Sequence, residues 1–173
     1  MRVLFSALVM TLGIASVSAQ SIDAEASRVD FSVSNMKVNK VGGTFTGMTG
    51  SIAFDEASPE SANFNVCVDA TSVNSGNKKR DDHLRTDDFF HVEEYPQICI
   101  QSKSVRKTDA GYLLDGSLTM HGITQAVSIP FSYSAGTFSG SFSIDRKDYE
   151  VGARTGSFMV GKEVNLDITA VVK

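Results

Sequence analysis

The chain has 173 residues, with 16 basic against 20 acidic side chains, a formal net charge of −4, and two cysteines. This balance predicts no basic patch of the extent that nucleic-acid binding needs, while the length suits one domain with a sizeable core.

A single charge at Arg2 precedes an unbroken run of apolar and small residues from Val3 to Ile14, followed by Ala15-Ser16-Val17-Ser18-Ala19-Gln20. That is the layout of a secretory signal peptide. Val17 and Ala19 hold the small-residue positions a signal peptidase reads, so residues 1–19 are expected to be removed and the mature domain to run over 20–173. The apolar run is shorter than the ~20 residues a spanning helix needs, and nothing later in the chain is long and apolar enough for stable membrane insertion. No cysteine sits at the cleavage point to carry a lipid anchor.

From Ser27 the sequence alternates, with Val29, Phe31 and Val33 on one face and Arg28, Asp30, Ser32 and Ser34 on the other, the period of a half-buried strand. The alternation returns in Val41-Gly43-Phe45, slips at Gly47 and resumes in Met48-Gly50-Ile52-Phe54, which reads as one strand carrying a β-bulge. Six further alternating sets begin at Phe64, Ile98, Tyr112, Val127, Phe138 and Val164, making eight strands. Short turn-rich links at 55–59, 108–111 and 134–137 join antiparallel neighbours in up-and-down order. Between Val73 and Pro96 the alternation stops, and one or two short helical turns are expected there with Asp81 and Thr86 as N-caps.

In the oxidising compartment that the leader implies, Cys67 and Cys99 should pair. Each has the polar-face parity of its strand, between Val66 and Val68 and between Ile98 and Ile100, so both point outward.

Eight such strands close into a barrel or split into a sandwich, and a barrel leaves no edge exposed. Gly43, Ala70, Gly116, Gly140 and Ala170 fall on the apolar parity of their strands. Small inward residues leave volume that a ligand can use, unless they only relieve strand curvature.

Four stretches then match a known family in order along the mature chain. They are Val41-Gly42-Gly43-Thr44-Phe45, the run from Lys79 through His83, Phe89 and Phe90 to Pro96, the strand and turn Gly116-Ser117-Leu118-Thr119-Met120-His121-Gly122-Ile123-Thr124, and Ile144-Asp145-Arg146-Lys147-Asp148-Tyr149. The chain thus resembles the YceI-like polyisoprenoid-binding family. The resemblance implies an all-β, eight-stranded antiparallel lipocalin-like barrel whose apolar tunnel holds an isoprenoid or other amphiphile, commonly as a homodimer and commonly in the periplasm. Where the family often has a histidine ending the first strand, this chain has Asn35, and Gly42 and Thr44 stand where basic residues often flank the second-strand glycine. A neutral quinone, alcohol or amide head is therefore favoured over a pyrophosphate.

By strand parity the tunnel lining is expected from Phe31, Val33, Asn35 and Phe45, from Phe64, Val66 and Ala70, from Leu114, Gly116 and Leu118, from Ile129, Phe131, Phe138, Gly140 and Phe142, and from Leu166 and Ile168. Phe89 and Phe90 should plug one end, and Arg146 shares inward parity, to be paired with an acid such as Asp148 or to meet a polar head. No cofactor is expected beyond a bound lipid. No metal site is expected either, since His83 and His91 are eight apart with no compact ligand cluster and the Asp-rich run lacks the glycine and glutamate of a calcium loop.

Two rivals to a lipid carrier remain open at this stage. One is an enzyme acting on a lipophilic substrate with His83 or His121 as acid or base, which needs either histidine at the tunnel wall beside a carboxylate. The other is an interaction protein whose barrel is packed solid.

Overall fold

Alternation of apolar and polar side chains, with turn residues between the runs, builds almost the whole molecule from one antiparallel sheet. The structure, a computed structural model, describes residues 18–36 and 39–173, so the expected leader lies outside the described residues except for its last two positions. The strands are β1 (Gln20–Ser21), β2 (Arg28–Asn35), β3 (Asn39–Phe45), β4 (Thr49–Ala53), β5 (Asn63–Asp69), β6 (Gln97–Thr108), β7 (Gly111–Met120), β8 (Ile123–Ser134), β9 (Thr137–Asp145) and β10 (Val160–Val171). Their order in the sheet is β1-β4-β5-β6-β7-β8-β9-β10-β2-β3, so every neighbour from β4 to β10 is consecutive in sequence and β2 returns to pair with β10.

This is the expected lipocalin-like fold, with ten strands among the described residues in place of eight. One added strand is the short β1. The other comes from the segment expected to be a single bulged strand. Gly47 has φ +67°, as its position suggested, but the chain turns there and passes from one edge of the sheet to the other. Thr46 fixes the corner, its N–H donating to Ser72 Oγ at 2.8 Å and its carbonyl accepting from Asp69 N at 3.2 Å. The register shifts lie elsewhere, between Ser102 and Ser104 on β6 and between Val160 and Val164 on β10.

The sheet curls into an incomplete barrel. At one end the edge strand β1 is joined to the end of β10, since Ile22 bridges Val172 and Lys173 N donates to Ser21 O at 3.0 Å. Towards the other end the outer edge of β3 meets the chain after β5 through one bridge, Thr44 to Asn74. The β1 end is filled by aromatic side chains: the Phe54 ring lies 5.0 Å from Tyr112, 5.0 Å from Tyr133 and 5.3 Å from Phe138, in edge-on contacts that favour close packing.

Between β5 and β6 the chain forms the helix α1 (Lys78–Leu84) and a series of turns. The N-cap is Asn77, whose side chain accepts from Arg80 N at 3.0 Å, rather than Asp81. Asp81 lies within the first turn and is buried, accepting from the N–H and hydroxyl of Ser75. Thr86 caps no second helix either. Its hydroxyl donates to His83 O, and its carbonyl accepts from Phe89 N and His91 N in a turn. Arg85 fastens α1 to the 3-10 turn that follows β5 by donating to Thr71 O at 2.8 Å and Val73 O at 2.7 Å.

Cys67 and Cys99 face each other directly on β5 and β6 with Cα atoms 4.0 Å apart and form the expected disulfide. No helix among the described residues is long and apolar enough to cross a membrane.

Candidate ligand cavity

Period-two alternation sends one set of side chains to the concave face, and among them they enclose two cavities. The larger, about 120 Å³, lies towards the α1 end. The smaller, about 60 Å³, lies towards the aromatic end, and Val66, Ile100 and Ile168 belong to both walls. They are two chambers of one interior, separated by aliphatic side chains.

Of the residues expected inside, Phe31, Val33, Phe45, Leu118, Phe142 and Leu166 line the larger chamber. Phe64, Leu114, Ile129, Phe131, Phe138 and Gly140 line the smaller, while Val66 and Ile168 stand between the two. Phe89 and Phe90 reach the larger chamber from the segment after α1, with the Phe90 ring edge-on to Phe45 at 5.3 Å.

Asn35, Ala70 and Gly116 are not in either wall. Asn35 ends β2 and pairs with Asn39 and Val160, past the last inward side chain. Ala70 has left β5 for a turn of 3-10 helix and is packed in the core, with its N–H donated to Pro96 O at 2.9 Å. Gly116 lies where β6 shifts register, and a Cβ there would stand 2.3 Å from Gln101 O. Its smallness serves close strand approach, not volume. Gly43 is likewise covered, by the ring of Phe31. Of the five small residues, Gly140 and Ala170 are the two that face cavity space.

Sequence parity missed the wall outside the regular strands. Leu84 ends α1 and Val151 lies in the loop between β9 and β10, where no alternation exists to assign a face, and Met48, read as part of an alternating strand, sits instead in the corner after Gly47.

Among the described residues Arg146 is the one polar side chain in either wall, and it is 3% exposed. The sequence suggested an acid partner such as Asp148, but the guanidinium is held by backbone carbonyls. Nε donates to Gly161 O at 2.8 Å, Nη1 to Val151 O and Gly152 O at 2.7 Å each, and Nη2 to Val160 O at 2.9 Å and Thr155 O at 3.2 Å. An arginine has five N–H donors, so none is left for a ligand. Burial lowers its pKa and Asp145 opposes that shift. The adjacent Tyr149, pushed up to about 12 chiefly by burial, stays a neutral phenol.

Neither candidate histidine lines a chamber. His83 is on the outer side of α1, its Nε2 3.3 Å from Asp88 and its ring edge-on to Phe89. Asp88 also accepts from Arg154, and these two partners hold its carboxyl below the usual range. This joins the segment after α1 to the β9–β10 loop. His121 occupies the β7–β8 turn with φ +53°, its Nδ1 3.1 Å from Tyr149 O. Both rings therefore hold loops over the α1 end of the cavity. Among the described residues no cluster of three metal-ligating side chains occurs.

Three comparisons place this geometry. The model of the YceI-like domain matches residues 20–172. A UPF0312 protein of Yersinia enterocolitica is 30% identical over 95% of this chain and 92% of its own length, and Protein YceI of Escherichia coli O157:H7 is 29% identical over the same shares. Among solved structures, Burkholderia cenocepacia BcnA superposes with a TM-score of 0.79 at 25% identity, covering 88% of this chain and 99% of its own. A polyisoprenoid-binding domain from Saccharophagus degradans shares the fold with a TM-score of 0.66 at 19% identity, over 91% of this chain and 100% of its own. With its sheet, its two-chamber interior and a family match over nearly every described residue, the chain belongs to the YceI-like domain family.

Proposed function

We propose that this protein is exported to the periplasm and holds one amphiphilic molecule, an isoprenoid quinone, a polyprenol or a fatty amide, for transport, storage or scavenging. The observation that carries this reading is the chemistry of the wall. Both chambers are apolar throughout except for Arg146, whose donors are all taken by backbone carbonyls. Such a wall rewards apolar surface, at ~0.8 kcal/mol for each methylene removed from water, and offers no cation to hold a pyrophosphate. The head is neutral and sits at the α1 end.

Size decides how the tail enters. A chamber of about 120 Å³ is comparable to the ~150 Å³ apolar cavity that accepts one benzene-sized molecule. A tail of several isoprene units exceeds that, so loading merges the chambers past Val66, Ile100 and Ile168 and displaces Phe89 and Phe90. The fold shared with the Saccharophagus domain supports the ligand class. Export is supported by the apolar run from Val3 to Ile14, by the disulfide, and by a family match that begins at Gln20, directly after the expected cleavage point.

Mass spectrometry of lipid extracted from protein purified out of its native host tests the reading. One neutral-headed, long-chain lipid per protein is expected. Protein that carries no lipid and takes up none when offered quinone, polyprenol or fatty amide would overturn it.

A further inference from the structure

Among the described residues three large apolar side chains stand exposed, Met36, Phe158 and Met159, at 45%, 62% and 49%. Single exposed hydrophobes need no explanation, but these three share one place. Met36 N donates to Met159 O at 3.2 Å, which joins the end of β2 to the end of the β9–β10 loop. The larger chamber reaches the same corner, because Val33 and Val160 belong to its wall.

The charge pattern at this corner differs from that of the chain. The described residues 31–36 and 39–45, along β2 and β3, and 151–162 carry Lys40, Arg154 and Lys162 and not one Asp or Glu, in a protein of net charge −4. Arg154 and Lys162 are mostly exposed, although each also touches an acid, Asp88 and Asp145 respectively. Lys40 is exposed on β3 and makes no ion pair among the described residues.

We propose that this corner is a docking surface for an anionic lipid bilayer, with Met36, Phe158 and Met159 entering the headgroup boundary and the cations lying against anionic headgroups. A second copy of the chain fits less well. Three side chains fall far short of the ~1,200 Å² that a stable interface buries, and a two-fold contact would set these cations against themselves. A bilayer supplies both an apolar phase and opposite charge. The docking surface goes beyond the carrier reading and rests on the corner alone, although its use in loading the cavity rests on that reading.

The test is flotation of the chain from Gln20 onward, which contains every described strand and omits the apolar run 3–14 that would itself enter lipid. Vesicles of phosphatidylglycerol and phosphatidylethanolamine are compared with phosphatidylcholine alone, and uptake of the neutral dye N-phenyl-1-naphthylamine reads the cavity separately. Binding is expected to the anionic vesicles only and to weaken with salt. Phe158→Ser with Met159→Ser should lower it roughly 30-fold or more, and Lys40→Glu on the order of 10-fold, with dye uptake and melting unchanged. Vesicle binding without dye uptake by the wild type would uphold the docking surface and sink the carrier reading. Absence of anionic-vesicle binding, or equal binding by the Phe158→Ser, Met159→Ser protein, would overturn the proposal. A dimer that this double variant dissolves, with no vesicle binding by the wild type, would assign the corner to a second copy instead.

Discussion

A buried charge without a counter-ion is costly unless its hydrogen bonds are all made, and Arg146 meets that condition entirely through carbonyls of the β9–β10 loop and the start of β10. The residue therefore shapes a loop that has little regular structure of its own. Arg146→Met should leave those carbonyls without a donor and lower stability by about 3 kcal/mol, with the loop opening first; urea denaturation and amide exchange would read both. Arg146→Lys should not rescue it, because one ammonium has three donors and a shorter reach. Asp81 is the opposite case, an anion buried against Ser75, and that bonding sets its pKa below the ordinary carboxylate range. With the folded value depressed, the unfolded chain takes up the proton first as pH falls. The contribution is therefore complete above about pH 5 and is lost as pH drops below the ordinary value of ~3.9 and through the folded one. Amide exchange across residues 75–95 should accelerate in acid on that schedule. Asp81→Asn should show fast exchange already at neutral pH, and equal acid sensitivity in both proteins would remove Asp81 as the cause.

At the scale of elements, the segment from α1 to Tyr95 works as a lid whose apolar and polar contacts have different tasks. Phe89 and Phe90 face the cavity, whereas His83 and Asp88 face outward and meet the β9–β10 loop through Arg154. His83→Ala should therefore leave lipid affinity within about tenfold, since exposed polar contacts between side chains contribute little. Phe89→Ala with Phe90→Ala removes two rings from the wall and should weaken binding much further or open the cavity to water. Ligand titration of the two proteins separates these outcomes, and complete loss with His83→Ala in an intact fold would bring back the enzymatic reading. The strand before the lid and the strand after it are fastened by the Cys67–Cys99 disulfide. Replacing both cysteines by serine should cost roughly 3 to 4 kcal/mol in the chain-entropy account of a loop this long, seen as a lower urea midpoint with ligand chemistry unchanged.

For the molecule as a whole, what was legible in the sequence is what alternation can carry. Period two assigns a face wherever a strand is regular, and the two chambers are walled mainly by those faces. It fails where backbone geometry breaks the period. At Gly47 a left-handed residue turns the chain to the other sheet edge, at Ala70 the strand has already ended, and at Gly116 the missing side chain accommodates a neighbouring carbonyl. The N-cap was readable in principle, as Asn77 three residues before Arg80, but the acidic run beside it offered more candidates than one helix could use. These differences supply a paired test of whether the interior is working volume. Ala170 lines the smaller chamber, while Ala70 is packed in the core away from both. Ala170→Leu should fill much of the 60 Å³ beside it, so delipidated protein should melt at or slightly above the wild-type temperature yet take up shorter tails. Ala70→Leu has no such space, and overpacking should cost about 1 to 3 kcal/mol with no change in the tail length preferred. Thermal melts of both delipidated proteins, with mass spectrometry after exposure to a graded series of prenols, read the two effects separately. If Ala170→Leu is destabilised as much as Ala70→Leu and the tail distribution stays fixed, the smaller chamber holds no part of the ligand.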